Sequence, residues 1–358
     1  MKQNISLNSK ELTTILINVL LVKLFFIFPK KLITNAGNAA WLQFLYLAII
    51  SVLAFFLLLA CQKKCGTTNI IELSEKIGGN ALKIFTGIFI SIALFLNLAS
   101  TMRSYPELVK MVLLPNTPIE LILLFFSLTV AVSAFGGLEA IARIHAIFIP
   151  ILLVILALFF VFLFPHMEIY NIFPIFGKGA SKIFLTGLEG FDFFDDLIIY
   201  NLLISYARNF DEAKKSGIKG LLISIVAGFF ILLSYCLVYP YPSSQNFIIP
   251  VYQLTRLVGI GDFFQRFEAF FLFVWSFSIL LYSALYIRIL CMVWRDCFNL
   301  KYEKPIIFPM MTVTTLLAFS AYSMQDIVFN YWYLSAFTIF MAIGLPIIFS
   351  LLYKRKLK

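Results

Sequence analysis

Gly187-Leu188-Glu189-Gly190-Phe191-Asp192-Phe193-Phe194-Asp195-Asp196-Leu197 lies inside a stretch, 183–205, that is otherwise apolar. A membrane-crossing helix needs roughly 20 mostly apolar residues, so 183–205 reads as a span carrying four carboxylates. Ionisable groups inside a span are costly to bury and mark a functional site by default. On an unbroken helix, about 100° per residue places Glu189, Asp192 and Asp196 on one stripe, with Tyr200 one turn further. Three carboxylates on one face do not all stay ionised in a dry site, so they call for cations, protons or water. Gly187 and Gly190 bracket Glu189, and each weakens a helix by about 1 kcal/mol relative to Ala. Two uses for them stand side by side. They permit a local unwinding, which inside a membrane persists only where it lines a cavity or is covered by protein, or they let helices pack closely. The acids beside them favour the cavity.

Working outward, composition explains why such a segment has nowhere else to be. The chain is 61% hydrophobic and 13% charged, with mean hydropathy +0.96, whereas soluble domains are about 45–50% apolar and about 25% charged. Lipid is therefore the solvent for most of its surface. Apolar runs fall near 12–29, 40–60, 81–102, 119–135, 144–164, 183–205, 218–239, 267–294, 306–323 and 331–353. The longest polar-leaning loop is 240–266, with Pro240, Pro242 and Pro250. The reading is an all-α integral membrane protein of about ten transmembrane helices, one polytopic membrane domain over 1–358, with a retained first span and no soluble domain.

Loop charges orient it. With a cytosolic N-terminus, 18 of the 28 basic residues fall on the cytosolic side, among them Lys63, Lys64, Lys214, Lys215 and the Lys354-Arg355-Lys356 tail, and 8 on the other. The positive-inside rule then places both termini in the cytosol. The formal net charge of +10 belongs to this asymmetry and to anionic lipid rather than to nucleic acid, since no basic patch carries interleaved stacking aromatics.

Lys23, deep in Val22-Lys23-Leu24-Phe25-Phe26-Ile27-Phe28-Pro29, has two readings of equal standing, a counter-charge for the acids or a lysine that snorkels to the interface. Asn97, Ser100, Thr101 and Arg103 close the third span, Arg143 and His145 open the fifth facing the cytosol, Glu268 pairs with Arg266 or lies at the outer mouth, Trp275 packs, and Arg288 snorkels. The five cysteines form no Cys-x-x-Cys pair and the chain has two histidines, so neither a metal site nor a cofactor is expected. No His-Glu-x-x-His, Gly-x-Ser-x-Gly or phosphate-cradling loop is present, which points away from an enzyme.

Phe28-Pro29 closes the first apolar run and Asn38-Ala39-Ala40-Trp41-Leu42 opens the second. Gly137-Leu138-Glu139-Ala140-Ile141-Ala142-Arg143 leads into the fifth, followed by Phe148-Ile149-Pro150-Ile151. Gly187-Leu188-Glu189-Gly190-Phe191-Asp192 lies in the sixth, then Ala207-Arg208-Asn209, Ala213-Lys214-Lys215-Ser216-Gly217, and Gln265-Arg266-Phe267-Glu268-Ala269-Phe270-Phe271 with Trp275 beyond. In order and spacing these segments resemble the spore germination permease family, the B subunits of germinant receptors, in the amino acid–polyamine–organocation transporter group. The resemblance implies a 5+5 inverted repeat (12–164 and 183–353) with broken first and sixth helices around a midplane site. It also implies an inner spore membrane location, A and C partner subunits, and a small germinant, most often an amino acid. Carried onto this chain, the ligand site comprises Lys23, Gly187, Leu188, Glu189, Gly190, Phe191 and Asp192. The ligand carboxylate lies near Lys23 or a half-helix N-terminus and its ammonium near Glu189, with Glu189, Asp192 and Asp196 open to ion or proton coupling. The chain departs from the group where related transporters carry glycines in the first span and it has Val22-Lys23-Leu24. The competing readings are a proton- or cation-coupled amino-acid transporter and an assembly subunit.

Overall fold

The computed structural model describes residues 6–26, 28–65, 69–258, 267–320 and 336–356. Among them there is no strand; one isolated backbone bridge joins Leu7 to Ala207. The helices are α1 (Ser9–Leu21), α2 (Phe28–Ala36), α3 (Ala40–Cys65), α4 (Ile70–Val112), α5 (Ile119–Phe135), α6 (Gly137–Leu163) and α7 (Ala180–Phe184). They continue with α8 (Leu197–Leu203), α9 (Phe210–Val238), α10 (Pro250–Thr255), α11 (Phe267–Phe298), α12 (Ile307–Ser320) and α13 (Leu345–Lys356). Each expected apolar run is mainly helical among the described residues, with the first and sixth interrupted; residues 27, 321–323 and 331–335 of the first, ninth and last runs lie outside them. So do residues 259–266 of the expected loop 240–266, which carries the short α10, and with them Arg266, the expected partner of Glu268.

The protein is an integral membrane protein whose helices sort by what they face. The outer faces of α5 and α6 are bare apolar side chains, with Phe125, Val132, Ile147 and Val154 exposed, a surface that only hydrocarbon solvates well. At the centre, α1 is buried from Glu11 to Leu21, packed against α9 and α6. Its contact with α9 is close because Gly220 has no side chain: a Cβ there would stand 3.0 Å from the Thr13 carbonyl oxygen, the small-residue packing typical of membrane helices. The capping box at Asn8 and Glu11 begins α1 cleanly.

Two expectations about polar side chains are corrected here. His145 is fully enclosed instead of facing the cytosol: its Nδ1 bonds the Ile141 carbonyl at 2.7 Å and its Nε2 meets Asn18 at 3.1 Å. Arg288 does not snorkel. It is 3% exposed and paired with Glu303, which Arg295 also grips. Arg295 reaches on to Asp296 at 2.7 Å and donates to the Tyr206 hydroxyl at 3.0 Å. Sequence distance to the interface suggested a free end for Arg288, but a carboxylate brought back by the α11–α12 connection lies nearer than water. Cys236, Cys291 and Cys297 are buried and free, and the side chains of Cys61 and Cys65 lie outside the described residues.

Losing one member of a buried charge network leaves the others uncompensated, at about 3–5 kcal/mol. Glu303→Ala is therefore expected to lower the melting temperature of the purified chain in detergent, and adding Arg288→Met to restore part of it; unchanged melting in Glu303→Ala contradicts the network.

Candidate functional site

Two helices come apart in the middle, for different chemical reasons. The first breaks at a proline. α1 ends at Leu21, a 3-10 turn runs Val22–Phe25, Phe26 leaves helical geometry at φ −96 and ψ −144, and α2 resumes at Phe28. Pro29 cannot donate a backbone bond, and its ring would collide with the Phe25 carbonyl in a continuous helix; the first turn of a new helix tolerates it. Glycine is thus not needed for the break, and Phe28-Pro29 marks the middle of the first membrane segment rather than its end.

The sixth segment breaks more gradually. α7 ends at Phe184, a 3-10 helix runs Thr186–Phe194, Asp195 and Asp196 form a turn, and α8 follows. Both readings of the glycines hold at Gly190: its backbone is unwound from the α form, and a Cβ there would stand 2.7 Å from Leu32 Cδ2 and 2.9 Å from Leu47 Cδ1. The carbonyls released by unwinding are taken up by side chains from the neighbouring elements. Gln43 donates to Gly187 at 2.9 Å, Lys31 to Glu189 at 2.6 Å, and Lys23 to Asp192 at 2.9 Å. Buried backbone groups need such partners.

The expected stripe of Glu189, Asp192 and Asp196 does not form, because the segment is not α-helical there. A 3-10 helix repeats every three residues, which aligns Glu189, Asp192 and Asp195 instead. Exposure falls along that line: Glu189 is exposed, Asp192 is 8% exposed and Asp195 is fully enclosed, as is Asp196 beside it.

Lys23 enters this floor from the first break. Its Nζ is ion-paired with Asp195 and lies 3.1 Å from Asp196 Oδ2. Lys31, on α2, holds Asp192 Oδ2 at 2.9 Å. Three further elements close on the carboxylates. From α4, Asn97 donates to Asp195 at 3.2 Å and approaches Asp196 at 3.5 Å. Thr338 donates to Asp195 Oδ2 at 2.7 Å. From α11, Tyr286 donates to Asp196, with Tyr282 3.5 Å from both of its oxygens. Trp275 packs, as expected, 1% exposed with its ring 3.6 Å from that of Phe25 at the first break.

Of the residues singled out in the sequence, the structure brings Lys23, Asp192 and Asp196 together, with Gly187 and Gly190 in the wall. Glu189 stands at the exposed edge, Leu188 is 45% exposed, and Phe191 packs on Phe194. Sequence reasoning left Asp195 off the stripe and passed over Lys31, Gln43, Tyr282, Tyr286 and Thr338; it read Asn97 as closing the third span, whereas α4 runs on to Val112 and Asn97 is buried within it, 2% exposed. A three-residue period would have found Asp195, and Tyr-x-x-x-Tyr inside a span marks one polar helix face; the others carry no local signal.

A family model described as "Spore germination protein", the spore permease family, matches residues 6–327. Spore germination protein A2 of Bacillus subtilis (strain 168) is 25% identical over 281 residues, 76% of this chain and 75% of its own. Spore germination protein B2 of the same organism is 22% identical over 249 residues, covering 69% and 68%. Among solved structures, Mhp1, a nucleobase-cation-symport-1 family transporter in a closed conformation with bromovinylhydantoin bound, superimposes with TM-score 0.64 at 14% identity over 89% of this chain and 74% of its own. A Na+-coupled sialic acid symporter in its substrate-bound outward-open state gives 0.58 at 13% identity, over 95% and 78%. These likenesses carry the fold, a transporter fold with broken first and sixth helices, and nothing of the ligand.

The ion pair across the two breaks is testable as a coupling. In a double-mutant cycle on the purified chain, Lys23→Met and Asp195→Asn are each expected to destabilise, and the pair by less than their sum, with a coupling of about 0.5–3 kcal/mol; strict additivity contradicts the contact.

Proposed function

The chain belongs to the spore germination protein family of spore permeases, and from that premise we propose that it is the transporter-fold membrane subunit of a spore germinant receptor. A small germinant such as an amino acid binds between the broken first and sixth helices, and the change is passed to A- and C-type partner subunits. The observation that carries this reading is Lys23, whose ammonium joins the first break to Asp195 and Asp196 in the sixth. A ligand that engages either half competes with that pair, and so biases the packing of α1 and α2 against the 186–203 segment. A ligand shifts such an equilibrium only by its differential affinity for the two packings, and charges shared by the moving parts supply that difference.

The remaining parts of the proposal follow from the same premise. The chain lies in the inner spore membrane with both termini in the cytosol, is built as two five-span repeats, 12–164 and 183–353, related by inversion, and performs no enzymatic reaction. A second reading has a specific observation behind it. Both superimposed structures are solute carriers, so a cation- or proton-coupled amino-acid permease without a receptor role fits the same fold; saturable coupled uptake by the isolated chain in proteoliposomes would select it.

For the receptor, spores carrying Lys23→Ala or Asp195→Asn are expected to need a germinant concentration at least about tenfold higher, the equivalent of roughly 1.4 kcal/mol. Response at the unaltered concentration in both strains, with the proteins present in the membrane, overturns the proposal.

A further inference from the structure

We propose that Asn18, His145 and Ser278 form a proton-released latch. While the imidazole is neutral it pins α1, the half-helix ahead of the first break, to α6 and α11; a proton on it lets α1 go. The consequence for germination rests on the receptor reading above, whereas the latch itself lies apart from the carboxylate cluster.

Three fully enclosed polar side chains meet here, one from each of three packed helices. In a dry interior every such group must find its partner within the protein. His145 Nδ1 lies 2.7 Å from the Ile141 carbonyl oxygen, which only accepts, so Nδ1 carries the hydrogen. A neutral imidazole has one donor and one acceptor. Nε2 is therefore the acceptor, and it takes a hydrogen from Asn18 Nδ2 at 3.1 Å. The other amide hydrogen of Asn18 goes to the Ser278 carbonyl at 3.1 Å, and the Ser278 hydroxyl donates to Asn18 Oδ1. A backbone carbonyl at each end thus fixes both the tautomer and the amide orientation.

A second proton has no place in this arrangement. On Nε2 it would point at the Asn18 amide hydrogens, donor against donor. Turning the amide over would offer Oδ1 to the imidazolium, but would set the Ser278 carbonyl against an acceptor in its place. Either way a bond that holds α1 is lost, and an unpaired buried polar group is costly. Proton uptake by His145 and the packed position of α1 therefore exclude each other, so a proton shifts the equilibrium toward release.

The latch acts where it matters for the break. Asn18 lies one turn before it, and its carbonyl accepts from the Val22 N–H that ends α1. The next residue is Lys23, paired with Asp195. Among the described residues no carboxylate bonds the imidazole to offset its charge. Of the ionisable groups on the packed elements, Glu11 on α1 closes the capping box, and Tyr282 and Tyr286 on α11 lean on Asp196. On α6, Glu139 pairs with Arg143 at 3.4 Å, both exposed, and α5 contributes Glu120 in its first turn.

Hydrogen–deuterium exchange of the full chain in detergent, corrected for the intrinsic rate at each pH, reads the release of α1. A histidine that water reaches titrates near 6.5. The α1 amides should therefore lose about tenfold in protection from pH 7.5 to 5.5, while those of α12 hold. His145→Gln keeps an acceptor for Asn18 without a titrating proton, and should keep α1 protected at both values. His145→Leu removes the acceptor and should leave α1 weakly protected at both. In spores, His145→Leu is expected to lower the germinant concentration needed at least about threefold, whereas a damaged fold raises it. Protection of α1 that ignores pH in the unaltered chain, or pH dependence that survives in His145→Gln, overturns the latch. An unaltered response of His145→Leu spores, with Lys23→Ala spores needing more germinant, removes this inference and leaves the receptor reading. Loss of the pH dependence in His145→Gln, with Lys23→Ala and Asp195→Asn spores responding as before, keeps the latch and removes that reading.

Discussion

An ammonium held where two helices have come apart is the contact on which the centre of this protein depends. Lys23 sits in the turn that ends α1 and touches Asp195, Asp196 and the Asp192 carbonyl. At an effective dielectric near 20, unit charges 4 Å apart attract by about 4 kcal/mol, and two carboxylates share this one cation. Without it, two enclosed anions would face each other and the turn that carries them would lose a carbonyl partner. The interaction stabilises an arrangement that neither helix favours on its own.

Unwound backbone in a membrane is tolerated only if its polar groups are met, and here the answer is spread over neighbouring elements. Gln43 from α3, Lys31 from α2 and Lys23 from the first break each cap a carbonyl of the sixth segment. The two breaks are thus mutually dependent: the residues that satisfy the sixth come from the elements flanking the first. A displacement of α2 would release charge partners and backbone partners together.

α11 connects the site to the far end of the same segment. Tyr282 and Tyr286 lean on Asp196, while further along the same helix Arg288 and Arg295 hold Glu303, and Arg295 reaches Tyr206. Tyr206 closes the turn after α8, and its carbonyl accepts from Leu7 ahead of α1 at 2.8 Å. One long helix therefore grips the sixth segment at both its middle and its end.

Composition, run lengths and loop charges by themselves determined that this is a helical membrane protein of about ten spans, because lipid solvation and span length leave few alternatives. They also marked 187–197 as the candidate site, since ionisable groups inside an apolar run are costly to bury. The local geometry was legible only in part. Pro29 forbids a continuous helix, yet its position near the end of an apolar run read as a terminus, and the α period assigned to the acids named Asp196 while passing over Asp195. Only the tertiary structure decided which cations and hydroxyls meet them. Lys31, Asn97, Tyr286 and Thr338 come from helices far apart in the chain, and a lysine in a loop or an asparagine near a span end looks ordinary until packing removes the water around it.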